Sequence, residues 1–155
     1  MKSFYLLLLL LTSMFLISGC NTTGGPSYSD YEKTIKPPAA GDGRIWFYRP
    51  SKSGSEIQPI VMIGKAVAGK AQNGCFFFVD RMPGDYEILS TSDWKTKITV
   101  HLNAGDEKYV RLGYNIGMVA GYIVPVAVSR DAGLKEIQHC NLLTADGANA
   151  NVLAK

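Results

Sequence analysis

The chain has 155 residues, with 16 basic and 13 acidic side chains and a formal charge of +3. Its length fits one domain. The charged residues are interspersed and form no run of one sign, whereas a nucleic-acid-binding protein would be expected to carry a basic cluster. A nucleic-acid partner is therefore not expected.

The first residues have the order of a secretory signal peptide. Lys2 precedes an almost wholly apolar run at residues 4–17, which contains six consecutive leucines, and small residues follow. The apolar run is about 14 residues long, whereas a membrane-spanning helix needs roughly 20. We therefore predict that residues 1–19 are a cleaved signal peptide. Losing Lys2 leaves the mature chain with 15 basic and 13 acidic residues, a charge of +2.

The end of this segment indicates lipidation. Residues 16–20 read Leu-Ile-Ser-Gly-Cys, which resembles the bacterial lipobox, so Cys20 is predicted to carry the lipid. Several acyl chains on one residue suffice for stable membrane anchoring. The alternative is an ordinary signal peptide with a chance cysteine. Asn21 follows, and by resemblance to the sorting pattern of enteric bacteria this favours a periplasm-facing position on the outer membrane. The inner membrane and the cell surface stay open as alternatives.

Residues 20–42 are predicted to be the lipidated amino terminus and a flexible tether. Glycines and prolines lie at both ends of the segment, and it offers few apolar residues for burial. A coil of this length would average roughly 25 Å from end to end. Tyr28 and Tyr31 are the exceptions. We expect them to be solvated, with stacking on the domain or on a partner as the alternative.

Residues 43–143 read as an all-β domain. Short segments of β-favouring or alternating residues are separated by glycine and proline turns. The predicted strands are residues 44–49, 57–63, 66–70, 75–79, 86–92, 98–102, 108–114 and 122–128. Gly64 and Lys65 suit a type II′ hairpin, and Pro125 argues for an edge strand or a bulge. Residues 131–140 could form one short helix, and residues 144–155 are predicted to be a disordered tail.

Cys75 and Cys140 leave two alternatives open. A disulfide between them would close a loop of about 66 residues and stabilise the fold by about 4 kcal/mol in the chain-entropy model. The oxidising compartment expected for an exported chain would permit such a bond. The other alternative is a pair of buried, unpaired thiols, which are common in protein cores.

No catalytic or metal-binding constellation is recognisable. His139 and Cys140 are adjacent, which points their side chains apart in extended structure, and His101 lies on the polar side of an alternating strand. The cysteines and histidines contain no closely spaced ligand pair of the kind that zinc sites use. The carboxylates of Asp80, Asp85, Glu87 and Asp93 are explained by turns or solvation. We therefore predict no catalytic residue, no metal and no cofactor.

The aromatic strand at residues 44–49 provides one candidate partner-binding surface. Alternation places Trp46 and Tyr48 on one side of the strand. If these two aromatic side chains were exposed beside Arg44 and Arg49, they could bind a glycan or a protein. Core packing on both faces is the favoured alternative. Residues 113–118 provide another candidate, an apolar loop that touches lipid or a partner, although an ordinary glycine-rich connection is favoured there.

Several motifs resemble a known family, the bacterial lipoproteins called domain of unknown function 2846. These motifs are residues 43–50, the hairpin glycine at position 64, residues 77–80, residues 83–88 and residues 104–111. The resemblance covers roughly residues 41–143. It implies strands and turns but no reaction, and no site residue beyond the lipidated cysteine. The Pro83-Gly84 turn is similar to corners in prealbumin-like modules. The expected fold is a mainly antiparallel, prealbumin- or immunoglobulin-like β-sandwich of about seven or eight short strands.

We expect a non-catalytic binding or structural module of the cell envelope. Its partners would be the membrane, through the lipid anchor, and an envelope protein or peptidoglycan. A peptidoglycan-acting hydrolase, or an inhibitor of one, is the alternative. The hydrolase would need a concave pocket with convergent polar groups and perturbed titratable residues.

Overall fold

The structure, a computed structural model, describes residues 24–50, 54 and 56–144. The predicted signal peptide, Cys20 and residues 145–155 of the predicted tail lie outside the described residues. The described part contains the helices α1 (Tyr28–Tyr31) and α2 (Arg130–Ile137). Its strands are β1 (Gly43–Tyr48), β2 (Ile60–Ile63), β3 (Ala66–Lys70), β4 (Cys75–Arg81), β5 (Gly84–Ser90), β6 (Asp93–Leu102), β7 (Glu107–Ile116), β8 (Gly121–Val128) and β9 (Asn141–Leu142). No helix in this part of the chain is long and apolar enough to cross a membrane.

The strands form two mostly antiparallel sheets, which confirms the predicted all-β class. One sheet has the order β8-β7-β1-β4-β9 and the other has the order β3-β2-β5-β6. Within the larger sheet, β1 is parallel to β7 and β4 is parallel to β9. The described residues hold nine strands rather than the predicted seven or eight, because the two-residue β9 adds to the edge of the larger sheet after α2.

The larger sheet is buried on both faces. Ile45 and Phe47 point into the core between the sheets, whereas Trp46 and Tyr48 belong to a second apolar cluster on the outer face. This alternation follows from the period of two residues along a strand. The outer cluster is covered by α1 and α2, which supply Tyr28 and Ile137. Strand β1, with aromatic residues on both faces, therefore lies in the middle of three layers, which are the smaller sheet, the larger sheet and the two helices.

Several local predictions are confirmed. Gly64 has a φ of +58° between the paired residues Ile63 and Ala66, as the first position of a type II′ hairpin requires. Pro125 lies on β8, an edge strand, where its missing N–H group costs no interior hydrogen bond. The predicted C-terminal helix is present as α2, and Ser129 caps its first turn.

The predicted tether differs from the structure. From Gly24 onward this segment packs against the domain, because the Gly25 amide donates to the Leu142 carbonyl at 2.7 Å. The Leu142 amide in turn donates to the Pro26 carbonyl at 2.8 Å. Tyr28 is buried in the outer cluster, so the expectation that it is solvated is wrong. Its ring finds edge-on aromatic partners in Trp46 and Phe76, at centroid distances of 5.5 and 5.4 Å.

Candidate functional site

The predicted partner-binding surface is not a surface. Arg44, Trp46, Tyr48 and Arg49 are each no more than 3% exposed. The favoured alternative, packing on both faces of β1, is the arrangement present. The reason is tertiary, since α1 and α2 cover the face of β1 that holds Trp46 and Tyr48, whereas Arg49 is buried against residues 54, 57 and 71.

Arg44 ties the N-terminal segment to the sheet. Its guanidinium donates to both carboxylate oxygens of Asp80, at 2.6 and 2.8 Å, and to the Lys36 carbonyl at 2.8 Å. The same group lies 4.1 Å from the ring centroid of Phe78 and 5.3 Å from that of Trp46. A bidentate pair of this kind has a fixed geometry and is stronger than a neutral hydrogen bond. The Arg44 side chain therefore has a structural role.

The Arg49 side chain has a structural role as well. Its guanidinium donates to the carbonyls of Ile57 and Gly54, and to that of Ala71 at 2.7 Å. Burial lowers the pKa of Arg49. A cavity of about 400 Å³ lies beside Arg49 and Arg111. We do not favour it as the ligand site, because among the described residues no buried polar side-chain atom of its lining lacks a hydrogen-bond partner.

A partly buried network fixes the end of α2. The Tyr48 hydroxyl donates to Glu136 Oε2 at 2.9 Å, and Arg111 Nη1 lies 3.2 Å from Glu136 Oε1. Burial, followed by the hydrogen bond to Glu136, raises the pKa of Tyr48. The hydroxyl therefore stays protonated and remains a donor. This network holds the carboxyl end of α2 on the outer face of the sheet.

A cavity of about 380 Å³ opens between the N-terminal segment, the larger sheet and α2. We call it the N-terminal pocket. Its lining includes Tyr28, Trp46, Glu107, Tyr109, Arg130 and Leu134. The N-terminal segment, the larger sheet and α2 each provide part of this wall, so no single segment of the sequence encodes it. The lining combines aromatic rings with charges of both signs.

The polar groups of the N-terminal pocket are only partly satisfied. Trp46 Nε1 donates to Glu107 Oε1 at 3.3 Å, and Arg130 Nη2 lies 3.6 Å from Glu107 Oε2. Among the described residues, Tyr109 Oη is buried without a hydrogen-bond partner. The Tyr28 hydroxyl interacts weakly with Tyr109 Oη, and this contact falls short of a full hydrogen bond. Burial, followed by the charge of Glu107, raises the pKa of Tyr109 and keeps its proton in place.

This arrangement suits binding of a polar ligand. An unsatisfied buried hydroxyl costs about 1–3 kcal/mol, and a ligand atom that accepted its proton would recover part of that cost. Tyr109, Glu107 and Arg130 were not predicted as site residues. The alternation of β7 shows which residues lie on the same strand face as Tyr109. It does not show that the N-terminal segment and α2 pack against that face.

Cys75 and Cys140 are both buried free thiols. They lie on opposite faces of the larger sheet, Cys75 in the inter-sheet core and Cys140 in the outer cluster. Of the two alternatives, the structure therefore has the unpaired thiols rather than the disulfide. Burial raises the pKa of Cys75 and, with a smaller contribution from the charge of Cys75, raises that of Cys140 to about 12. Neither thiol is set up to form the thiolate that a nucleophile needs.

The exposed titratable groups have local partners. His101 Nδ1 lies 2.7 Å from Asp85 Oδ1, and the hydrogen bond to Asp85, followed by its charge, raises the pKa of His101. Glu87 pairs with Lys97 at 2.9 Å. Across residues 24–50, 54 and 56–144, no three His, Cys, Asp or Glu side chains converge in a way that could hold a metal ion.

Comparison with known families gives a match to the central part of the chain. The family model described as "Protein of unknown function (DUF2846)" matches residues 39–123, more than half of the chain. The chain belongs to the DUF2846 family. The matched range contains β1 and β7, whereas α1 and α2, which complete the N-terminal pocket, lie outside it. Searches of curated proteins and of solved structures gave no match.

Proposed function

We propose that the mature protein is a non-catalytic binding module of the bacterial cell envelope, anchored by lipid on Cys20, with the N-terminal pocket as its ligand site. The observation that carries the binding function is a pocket of about 380 Å³ lined by aromatic rings and charges of both signs, with the Tyr109 hydroxyl buried in its wall without a full hydrogen bond. Pockets that combine an apolar wall with a few polar groups are typical ligand sites.

The amino terminus supports the anchor. Residues 4–20 have the order of a lipoprotein signal peptide, and Asn21 favours the outer membrane. Gly24 already belongs to the folded part, where its neighbour Gly25 bonds to Leu142. Four residue steps separate Cys20 from Gly24, a reach of at most about 14 Å. The domain would therefore sit close to the bilayer rather than at the end of a long tether.

The charges of the pocket support the class of ligand. Glu32 and Glu107 provide negative charge, and Lys36 and Arg130 provide positive charge. A ligand with both amino and carboxylate groups would match this mixed lining. Peptidoglycan stem peptides have that chemistry and lie within reach of a protein anchored in the envelope. We therefore propose a peptidoglycan fragment as the ligand.

The state of the titratable groups supports a non-catalytic role. The Cys140 thiol, with its pKa raised to about 12, is a poor nucleophile. His101 is exposed and its ring faces Asp85, away from either thiol's cluster. Acid–base or nucleophilic catalysis needs groups within hydrogen-bond reach of one another, and these candidates are dispersed.

The ligand is tested by NMR titration of the mature chain with soluble muropeptides. We expect shift changes that map to the N-terminal pocket, and about tenfold weaker binding in Tyr109→Phe, which removes the unsatisfied hydroxyl. Tyr86→Phe is the matched control, because the Tyr86 hydroxyl donates to the Met82 carbonyl outside the pocket. Equal affinity of the Tyr109→Phe and parent proteins, or shift changes confined to another face, would refute this assignment.

The anchor is tested separately. Inhibition of the lipoprotein signal peptidase with globomycin should leave a precursor of higher mass, and Cys20→Ala should abolish lipid incorporation. Continued membrane partitioning of the Cys20→Ala protein would refute the anchor and would leave the proposed ligand site unaffected.

A further inference from the structure

The hairpin between β7 and β8 ends in exposed apolar side chains. Ile116, Met118 and Val119 are each at least 83% exposed, and residues 112–129 contain no charged side chain. We call residues 116–120 the apolar tip. Contiguous exposed apolar residues mark sites of interaction with a partner or a membrane. The question is which partner this tip fits.

The apolar tip is held away from the domain by a packed base. The Tyr114 ring occupies space that only glycines leave free, since a Cβ on Gly54 or Gly121 would lie 2.4 Å from its carbons. Beyond this ring the Gly117 amide donates to the Ala120 carbonyl at 3.0 Å and closes the turn. The tip is thus a structured projection whose apolar side chains point to solvent.

The apolar tip projects from one identifiable end of the sandwich. In the parallel pairing of β1 and β7, Tyr48 lies beside Arg111. Strand β7 then continues for five more residues to Ile116, about 16 Å beyond that level. The tip therefore extends past the end at which β1 finishes.

The amino terminus enters at the same end. Tyr48 also pairs with Phe76, and Phe76 pairs with Leu142 on β9. Gly25 bonds to Leu142, so the first described residues lie at the level where β1 finishes. Because at most about 14 Å of chain separates Gly24 from Cys20, Cys20 can come close to the level of the apolar tip, so that the tip would project into the leaflet that holds the lipid.

Trp94 adds an aromatic side chain at this end. It is 60% exposed and follows the β5–β6 turn. That turn is fixed beside β8, because Ser92 Oγ accepts from the Ile123 amide at 2.9 Å and donates to the Ile123 carbonyl at 3.2 Å. Tryptophan is enriched at membrane–water interfaces, where an apolar ring and a polar N–H group are both accommodated.

We propose that the apolar tip inserts into the membrane leaflet that carries the lipid anchor, with Trp94 at the level of the headgroups. This inference rests on the proposed lipidation of Cys20. A lipid surface fits better than a protein groove because the short connection to Cys20 brings this end to the bilayer. The insertion gives the domain a second membrane contact and fixes its orientation, with Met82 at the opposite end facing away.

The test uses the lipidated mature protein in vesicles of phosphatidylethanolamine and phosphatidylglycerol. An environment-sensitive fluorophore is attached through Met118→Cys in one protein and through Met82→Cys in the matched control. Native Cys75 and Cys140 are buried, so labelling goes to the introduced thiol. We expect blue-shifted emission and quenching by spin-labelled acyl chains at position 118, and neither effect at position 82.

Flotation with the vesicles separates the two hypotheses. A protein that fails to float refutes the anchor and the insertion together. A protein that floats while the label at position 118 stays as water-exposed as the label at position 82 refutes the insertion alone. If the label at position 118 is already blue-shifted in the unlipidated Cys20→Ala mature chain without vesicles, and increasingly so with protein concentration, a second copy covers the tip and the membrane proposal is wrong.

A charge at the tip provides a second variant. Val119→Asp should reduce the inserted fraction about tenfold, since an ionised side chain is costly in hydrocarbon. Met82→Asp carries the same charge at the opposite end and should leave the signal at position 118 unchanged. Because both sites are exposed, neither substitution is expected to impair folding. Equal insertion of the Val119→Asp protein would overturn the proposal.

Discussion

Gly133→Ala tests how α2 is docked on the sheet. A Cβ at position 133 would lie 2.4 Å from Tyr109 Cγ and 2.5 Å from its Cδ1. Carbon atoms in contact prefer about 3.5–4.0 Å, so one of the two partners would have to move by about 1 Å. Tyr109 is buried and its ring stacks on Trp46 with a centroid distance of 6.3 Å. The helix is therefore the partner that must shift.

The expected loss follows from opposing effects. Alanine is a better helix former than glycine and would stabilise α2 by about 1 kcal/mol. Overpacking against Tyr109 would cost about 1–3 kcal/mol. A shifted helix would also weaken the hydrogen bond from Tyr48 to Glu136, a bond to a charged group that contributes about 1.5–3 kcal/mol. We expect Gly133→Ala to lower the free energy of unfolding by about 2–4 kcal/mol.

Urea denaturation of the mature chain followed by circular dichroism measures this difference. The midpoint should fall while the slope with urea stays the same. Lys135→Ala is the control, because Lys135 is exposed on the same helix and its loss should change stability by no more than about 0.5 kcal/mol. A Gly133→Ala protein as stable as the parent, or more stable by about 1 kcal/mol, would show that helix propensity dominates and that the close contact with Tyr109 does not exist.

The exposed histidine and the buried thiol provide two further predictions. The hydrogen bond and charge of Asp85 raise the pKa of His101, so Asp85→Asn should lower that pKa in an NMR titration, and Glu87→Gln should not. The stabilisation from this pair is fully present below the unfolded histidine pKa of about 6.5 and is lost as the pH rises through the higher folded value. Because burial raises the pKa of the Cys140 thiol to about 12, that thiol should react with a disulfide reagent at pH 8 only after unfolding in urea.

Each of these predictions has a contradicting outcome. An unchanged His101 titration in Asp85→Asn would show that the 2.7 Å contact is absent in solution. Rapid modification of the native chain, with a cysteine-to-serine variant at position 140 as the blank, would show that this thiol is accessible. A chain whose thiols fail to react even in urea would carry the disulfide instead.

Local features of the sequence were enough for much of the sandwich. A dense apolar run predicted the strand that became β4, alternation predicted β7, and Gly64 predicted the hairpin of β2 and β3. These predictions succeed because strand period and turn conformation depend on neighbouring residues. Pairing between distant strands and the two-residue β9 depend on long-range contacts and did not follow from the sequence.

The candidate site was much less predictable. The aromatic strand β1 was recognised and packing on both of its faces was favoured, but the sequence did not show which elements cover Trp46 and Tyr48. The N-terminal pocket beside Trp46 joins Tyr28 to Arg130, which are far apart in the chain. A helix signal was present at the amino terminus, because Ser27 is followed by Asp30 three residues later and caps α1. It is a weak signal in a segment with so few apolar residues.

By itself the sequence determined the all-β class and the main turns, and it predicts a lipoprotein signal peptide that ends at Cys20. Only the tertiary structure decided that the amino-terminal segment packs on the sheet, that four predicted surface residues are buried and that Tyr109 Oη lacks a partner. Alternation shows which residues share a face of a strand, but whether that face is exposed to solvent depends on residues that are distant in sequence. Burial is therefore a property of the assembled layers.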